Sequence, residues 1–386
     1  MPAMFKGASR PGRREWQWYR PSWQPTTRKR RRRPSCGQGG GTPVQVKDVG
    51  EFGLIRRWER ELAQDPEQVA QGIGDDAAVL DFPGGRQILA TTDTLVESVH
   101  FDLAFTSPRQ LGKKCMAVNL SDIAAMGGRA RYALIALGLP GSTELAWLED
   151  LYRGLQEEAS RWSTWIVGGD TVRSPSGLVI TVTVLGQVPQ GRAVPRSGAR
   201  PGDLVVVTGD LGGSAAGLAS LTRSPSPVEP GVLEYVRRRQ LEPIPRLAEG
   251  EIMAHHGASA MIDVSDGLAS EVNHLARLSR VRVVVEEESI PMAPATRTLA
   301  RVLEADALAW ALNGGEDYEL VSTVAPEQFA AMARAVRERT GTCLTVVGRV
   351  EAGAGCYLMK EGKRRRLEPT SYDHFLTTSG PSRTSP

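Results

Sequence analysis

The chain has 386 residues, 41% of them hydrophobic and 24% charged, which allows two globular domains with substantial cores. No apolar run approaches the roughly 20 residues that a bilayer-spanning helix needs, and no signal-peptide apolar segment follows the basic start. The four cysteines form no Cys-x-x-Cys pair and have no histidines at zinc spacing, so a structural zinc site is excluded and a reducing cytoplasm is expected. The net charge of +3 misleads: residues 1–43 hold eleven Lys or Arg against the single acid Glu15. The remainder has 36 basic and 43 acidic side chains, a balance of −7.

Residues 1–45 combine Arg28 to Arg33 with Trp16, Trp18 and Trp23 and show neither a period of 2 nor of 3.6. They read as a disordered extension. Its uses could be a nucleic-acid or membrane-surface arm, an organelle transit peptide, or simply an upstream extension from a misassigned start. From Val46 the pattern is globular. Phe52 to Ala63 has helical spacing, and Gln87 to Thr91 is a strand entering Thr91-Thr92-Asp93-Thr94. Ser107 and Pro108 suit the cap and first position of a helix over 108–126, stopped by Gly127-Gly128. Asn119 and Asp122 share one face of it, and an acid stands out there among apolar residues. A strand at Ala130 to Leu137, a helix capped by Ser142 and a short strand entering Gly168-Gly169-Asp170-Thr171 follow. Leu178 to Leu185 closes the unit.

Residues near 189–203 are rich in Gly, Pro and Arg and read as an interdomain connection. Beyond it come a strand at Leu204 to Val207 entering a Gly-rich turn, a strand ending at Asp263 before Val264-Ser265-Asp266-Gly267, and Asn313-Gly314-Gly315-Glu316-Asp317-Tyr318 before a strand to Val324. Both halves repeat strand, Gly turn with an acid, helix. This is α/β or α+β layering, with a basic extension (1–45), an N-terminal domain (46–195), a C-terminal domain (196–375) and a tail (376–386).

The acids in these turns or on the apolar helix are Asp76, Asp93, Asp122, Asp170, Asp263, Asp266 and Glu316. Each alone is an ordinary cap or turn residue. If several converge, charges about 5 Å apart repel by roughly 3 kcal/mol per pair at an effective dielectric near 20, and bound divalent cations turn that penalty into a site. Carboxylates with few histidines select hard cations, and Mg²⁺ pairs naturally with substrate phosphates. No Gly-x-x-x-x-Gly-Lys-Ser/Thr loop and no His-Arg-Asp motif is present, so any nucleotide must be held mainly through metals. Arg196 is the best direct phosphate contact. The turn Thr208 to Ser214 is either a phosphate cradle at a helix N-terminus or a strand-helix corner.

The blocks GIGDDAAVL, TTDTLVESVHFD, AVNLSDIAAMGG, IVGGDT, GRAVPRSGARPGD, VTGDLGGSAAGL, DVSDGL, NGGEDYEL and SYDHF, in this order, resemble the thiamine-monophosphate kinase family over about Val46 to Phe375. That family sits in the superfamily of aminoimidazole ribonucleotide synthetase and selenophosphate synthetase. The resemblance implies a two-domain fold whose N-terminal domains pair into a β-barrel in a homodimer, and transfer of the γ-phosphoryl group of ATP to thiamine monophosphate. By motif, Asp76, Thr91, Thr92, Asp93, Asp122, Asp170, Asp263 and Asp266 fall on its magnesium ligands, with Asp122, Asp93 and Asp170 closest to the chemistry. Gly169, Arg196, Ser265 and Tyr152 fall on ATP contacts, and His100 and Glu316 on thiamine-phosphate contacts. The family usually carries an aromatic a few residues before the closing Tyr-Asp-His-Phe, and here that place is Pro369. Two rivals remain: a selenophosphate synthetase-like enzyme using Cys36, and a non-catalytic protein that binds nucleotide and, through its basic arm, nucleic acid.

Overall fold

The structure, a computed structural model, describes residues 48–62, 67–223 and 227–368. After helix α1 (Glu51–Glu61), a first sheet is built from β1 (Val69–Gln71), β2 (Ala78–Phe82), β3 (Arg86–Val96), β4 (Arg129–Leu139), β5 (Trp165–Arg173) and β6 (Val179–Pro189). The strand order is β1-β2-β3-β6-β4-β5, with every pair antiparallel except β4–β5. That parallel pair needs a crossover, which α3 (Leu145–Arg161) supplies. β6 alternates buried Ile180, Val182 and Val184 with less buried Thr181 and Thr183. One face of the sheet therefore meets the core.

The helix lying on that face is α2 (Pro108–Ala125). Ser107 closes a capping box with Gln110, and Pro108 sits where no intrahelical N–H is needed. Thirteen of its eighteen residues are buried, because it is enclosed between the first sheet, α3, and elements of the second half. Where α2 meets α3 the backbones nearly touch. A Cβ on Gly154 would come 2.0 Å from the Arg109 carbonyl oxygen, and one on Gly112 would come 2.2 Å from that of Leu151.

The second sheet comprises β7 (Leu204–Thr208), β8 (Ala258–Asp263), β9 (Arg282–Glu286), β10 (Leu320–Val324), β11 (Leu344–Glu351), β12 (Gly355–Lys360) and β13 (Lys363–Arg366), in the order β13-β12-β9-β11-β7-β10-β8. Only β9–β12 is parallel. Helices α4 (Gly213–Arg223), α5 (Pro230–Leu241), α6 (Leu247–His255), α7 (Leu268–Ser279), α8 (Pro294–Val302), α9 (Ala307–Asn313) and α10 (Pro326–Thr340) surround it. β7, β10 and the end of β8 are buried on both faces and read as apolar runs. Val206, Met261, Leu320 and Met332 join the same core cluster as α2, so the two halves share a seam.

Three local expectations change. Ser142 does not cap α3: the helix starts at Leu145 behind Glu144, because Pro140-Gly141 makes a turn closed by Thr143 N–H on the Pro140 carbonyl. Thr91 to Thr94 and Gly168 to Thr171 are not turns but lie within β3 and β5, where paired neighbouring strands keep the backbone extended. The turn at 208–214 holds no open phosphate cradle, since the Asp317 carboxylate accepts from Gly212 N (2.6 Å) and Ser214 N (3.0 Å) at the start of α4. Gly154→Ala is expected to force α2 and α3 apart and to lower stability by about 1–3 kcal/mol, read as a lower midpoint of thermal or urea unfolding. An unchanged midpoint would show that this helix contact tolerates a methyl.

Candidate functional site

A cleft of about 1130 Å³ opens between the two sheets, lined from the first by residues of the 72–78 loop, β3 and α2, and from the second by the 263–266 and 313–318 loops. At its base one carboxylate oxygen from each of Asp76, Asp122 and Asp263 lies within 4.8 Å of the other two. The three come from the loop before β2, the last turns of α2 and the end of β8. Neutral donors steady two of them: Thr91 Oγ1 donates to Asp122 Oδ2 at 2.5 Å, and Ser121 Oγ donates to Asp263 Oδ2 at 2.7 Å. Asp93 joins from β3, its N–H held by Asn119 Oδ1 at 2.9 Å. Helix α2 therefore supplies Asn119, Ser121 and Asp122 from a single turn.

The electrostatics follow from burial and crowding. Burial, reinforced by Asp93 and Asp263, pushes the Asp122 carboxyl well above its ordinary value, and burial with the Asp76 charge does the same to Asp263. Burial and then Asp76 raise Asp93 to about 6, and the same two causes raise Asp75 to about 6. One cation offsets this. Arg196 Nη2 donates to Asp76 Oδ1 at 2.6 Å, and its backbone N–H meets the Asp75 carboxylate at 3.1 Å. The other oxygen, Asp76 Oδ2, is buried with no hydrogen-bond partner. A buried carboxyl oxygen without a donor is costly unless a cation completes it. An all-oxygen donor set of this kind fits Mg²⁺, and Asp76, Asp122, Asp263 and Asp93 are the side chains that would hold it.

The opposite wall carries Glu316. Its Oε1 is 2.8 Å from Lys114 Nζ, and Gln240 Nε2 donates to its Oε2 at 2.7 Å. Glu316 and Tyr318 both take left-handed backbone, with φ of 65° and 50°. Such strain, of order 1–3 kcal/mol per residue, persists only when the surroundings impose it. Here Glu316 N–H bonds the Ser265 carbonyl (2.7 Å) and Tyr318 N–H bonds that of Val264 (2.9 Å). The two loops are thus stitched together. Across the cleft His100 Nδ1 accepts from Val96 N at 3.0 Å, which leaves Nε2 to carry the ring proton.

Of the residues singled out from sequence, Asp76, Thr91, Asp93, Asp122, Arg196, Asp263, Ser265, Asp266, His100 and Glu316 all line this cleft. Thr92 also borders it, but its hydroxyl turns to the other face of β3, 3.0 Å from Thr183 Oγ1. Tyr152, on α3, and Gly169 and Asp170, on β5, are not among the residues lining it within one chain. β5 is the far edge of the first sheet, three strands from β3. Arg196 meets a carboxylate rather than standing ready for phosphate alone. Pro369, the closing Tyr372 to Phe375, and Cys36 lie outside the described residues.

Four contributors were missed in the sequence. Lys114, only 2% exposed, lies four and eight residues before Val118 and Asp122, so all three share one helix face. That spacing was a signal. Glu271, buried on α7, accepts from Asp266 N at 3.0 Å, and burial with the Asp266 charge raises its carboxyl well above the ordinary range. Gln240 is reached only by folding of α5 against the 316 loop. Asp75 was visible beside Asp76, but its role in gripping the Arg196 backbone was not.

Comparison with known proteins agrees with this geometry. Residues 74–188 match the family model for the AIR synthase related protein N-terminal domain, and residues 200–361 match its C-terminal counterpart. Thiamine-monophosphate kinase of Escherichia coli K12 is 39% identical over 330 residues, covering 85% of this chain and 99% of that protein. The Bacillus subtilis enzyme of the same name is 38% identical over 307 residues, covering 79% of this chain and 93% of its own. A solved structure, AaThiL complexed with AMPPCP and TMP, superposes with a TM-score of 0.76 at 33% identity, covering 86% of this chain and 100% of that one. On that likeness of sequence and fold across nearly the full length of its relatives, the chain belongs to the thiamine-monophosphate kinase family.

Proposed function

We propose that this protein transfers the γ-phosphoryl group of ATP to the phosphate of thiamine monophosphate, giving thiamine diphosphate and ADP, by direct in-line attack with more than one Mg²⁺ bound. The observation that carries the reading is the convergence of Asp76, Asp122 and Asp263 beside an unpartnered buried oxygen, in a cleft that also presents His100 and Glu316. The acceptor is a phosphate oxygen already ionised at neutral pH, so no residue need remove a proton from it. What the chain must do is align two polyanions and offset their repulsion. When bound, Mg²⁺ supplies charge neutralisation at both phosphate groups. Arg196, beside the cluster, is suited to a terminal phosphate of ATP, and Ser265 to the nucleotide's approach. His100, with its proton on Nε2, can donate to the acceptor phosphate, while the Lys114 and Gln240 contacts aim the Glu316 carboxylate at the thiamine moiety. The division of labour is an N-terminal ATP and magnesium domain over 46–195 and a C-terminal domain over 196–375.

Gly169, Asp170 and Tyr152 belong to this reading through a homodimer. β5 is an edge strand, and Trp165, Val167 and Val172 on it and Tyr132 on β4 are at least half exposed. An apolar edge of that kind invites pairing with a second copy. Pairing there would extend the sheet toward a barrel and carry Gly169 and Asp170 of the partner subunit to the cleft.

Incubation with MgATP and thiamine monophosphate should yield thiamine diphosphate by mass, and Asp122→Asn should lower the rate by at least ~100-fold. Phosphate label trapped on the protein, or no diphosphate product, would sink the reading. Two inactive variants, Asp122→Asn and Asp170→Asn, should regain activity when mixed and allowed to exchange subunits. A mixture that stays silent would assign Asp170 to its own chain's site or to none.

The raised carboxyls also set a pH dependence. The Asp75 and Asp93 values near 6 exceed the ordinary 3.8, so the folded state binds these protons more tightly than the unfolded. Their contribution to stability is present at low pH and is lost as pH rises from about 4 to 6. Magnesium competes with those protons, so the rise in unfolding temperature on adding Mg²⁺ should be near zero at about pH 5 and several degrees at about pH 7.5. An equal rise at both pH values would contradict the assignment of Asp93 and its cluster to the ion.

A further inference from the structure

A second cavity, of about 820 Å³, lies on a part of the surface that the reaction does not use. Arg86 lines it from the start of β3, Arg129 and Arg131 from the start of β4, Arg192 from the loop after β6, and Arg339 from the last turn of α10. Glu251 is the sole carboxylate among the described lining residues, and it is spoken for by Arg129. Arg86 and Asp93 are seven residues apart on one strand, so at 3.3 Å per residue they stand about 23 Å apart, and no residue lines both this cavity and the cleft. The two sites are distinct.

Five guanidinium groups against one carboxylate leave four uncompensated positive charges around one concavity. Arg86 donates to a neutral amide, Gln187 Oε1, at 2.8 Å. Among the described residues, Arg131, Arg192 and Arg339 make no side-chain hydrogen bond or ion pair. Scattered surface arginines are normal, but here four separate segments aim five like charges at one hollow, which raises their mutual repulsion and focuses the field for an incoming anion. The guanidinium fork matches phosphate oxygens two at a time. The volume suits a small ligand. Among the lining residues there is no Phe, Tyr or Trp, so the hollow lacks the stacking platform with which a protein holds single-stranded bases.

We propose that this cavity binds a small polyphosphorylated anion, held by arginines alone and without a divalent metal. The absence of any metal requirement separates it from the acid-walled cleft, which repels a free polyphosphate until cations are bound. The test is calorimetric titration of the full chain with inorganic tripolyphosphate in EDTA. Expected are binding that weakens as salt is raised and an affinity at least about tenfold lower in the double variant Arg192→Gln/Arg339→Gln. Both side chains are exposed and neither lines the cleft, so folding and kinase activity should stay unchanged. The basic residues 1–43 are the same in both chains, so the difference between parent and variant reports the cavity. Equal affinities, or no binding in EDTA, overturn the proposal. A single-stranded RNA oligonucleotide serves as the other arm: if its affinity falls as far as that of tripolyphosphate, the face is a nucleic-acid surface and the small-anion assignment is overturned.

Discussion

The rest of this molecule is arranged around a repulsion. Three aspartates from segments nearly two hundred residues apart are brought within 4.8 Å, two of them buried and Asp122 half-buried. Nothing in their own chemistry favours that meeting. They stay together because Asp122 and Asp263 are fixed to a helix and a strand and Asp76 is held by Arg196, and because the energy of packing those elements exceeds the local electrostatic cost. Neutral hydroxyls from Thr91 and Ser121 and the Asn119 amide orient the carboxylates or their neighbours without cancelling their charge. Arg196 compensates one oxygen of Asp76 and leaves the other unmet. The cluster thereby keeps a buried carboxylate oxygen that no described side chain meets.

Helix α2 is the element through which packing and chemistry are joined. Its glycine contact with α3 and a second close contact, where a Cβ on Gly250 of α6 would lie 2.1 Å from the Ala124 carbonyl oxygen, set its position on two sides. From that position Lys114 reaches the Glu316 loop, while Asn119, Ser121 and Asp122 reach the acid cluster. A shift of the helix by even 1 Å would move both walls of the cleft at once. Behind the Glu316 wall a second buried network supports the strained loop. Glu319 accepts from Arg246 (2.6 and 2.7 Å), Arg239 (2.8 Å) and Thr208 (2.7 Å). Burial alone would raise Glu319, but the two guanidinium groups outweigh it and hold the carboxyl below its ordinary value. With Asp317 bound at the start of α4, the segment 316–319 is tied on both sides, and the positive φ values at Glu316 and Tyr318 are maintained.

The two sheets solve similar problems differently. Each contains one parallel pair among antiparallel ones, but the second sheet has both faces of its central strands buried. The first buries one face under α2 and leaves β5 as a bare edge with Trp165 71% exposed. Gly169 lies on that edge with φ 158°, and a Cβ there would sit 1.8 Å from the Ile135 carbonyl oxygen, so β4 and β5 approach as closely as glycine permits. This asymmetry, rather than anything in the cleft itself, is what the proposed pairing of two chains rests on.

Much was legible without coordinates because it depends on local rules. The α2 boundaries follow from a Ser-Pro start and a Gly-Gly stop, most strands from short apolar runs, and the layering from their alternation with helices. The acids worth watching could be picked out because charge beside an apolar run always needs an explanation. What those rules could not supply was direction. Whether Thr91 or Thr92 faces the cluster depends on the pleat and register of β3 against β6; whether Asp170 meets Asp93 depends on the strand order, which puts two strands between them. The partnership of Lys114 with Glu316, the occupation of the α4 start by Asp317, and the gathering of five arginines around one hollow each join segments that sequence separation keeps apart. Such contacts are decided by how sheets twist and helices pack, and a one-dimensional pattern carries that information only after folding has turned it into distance.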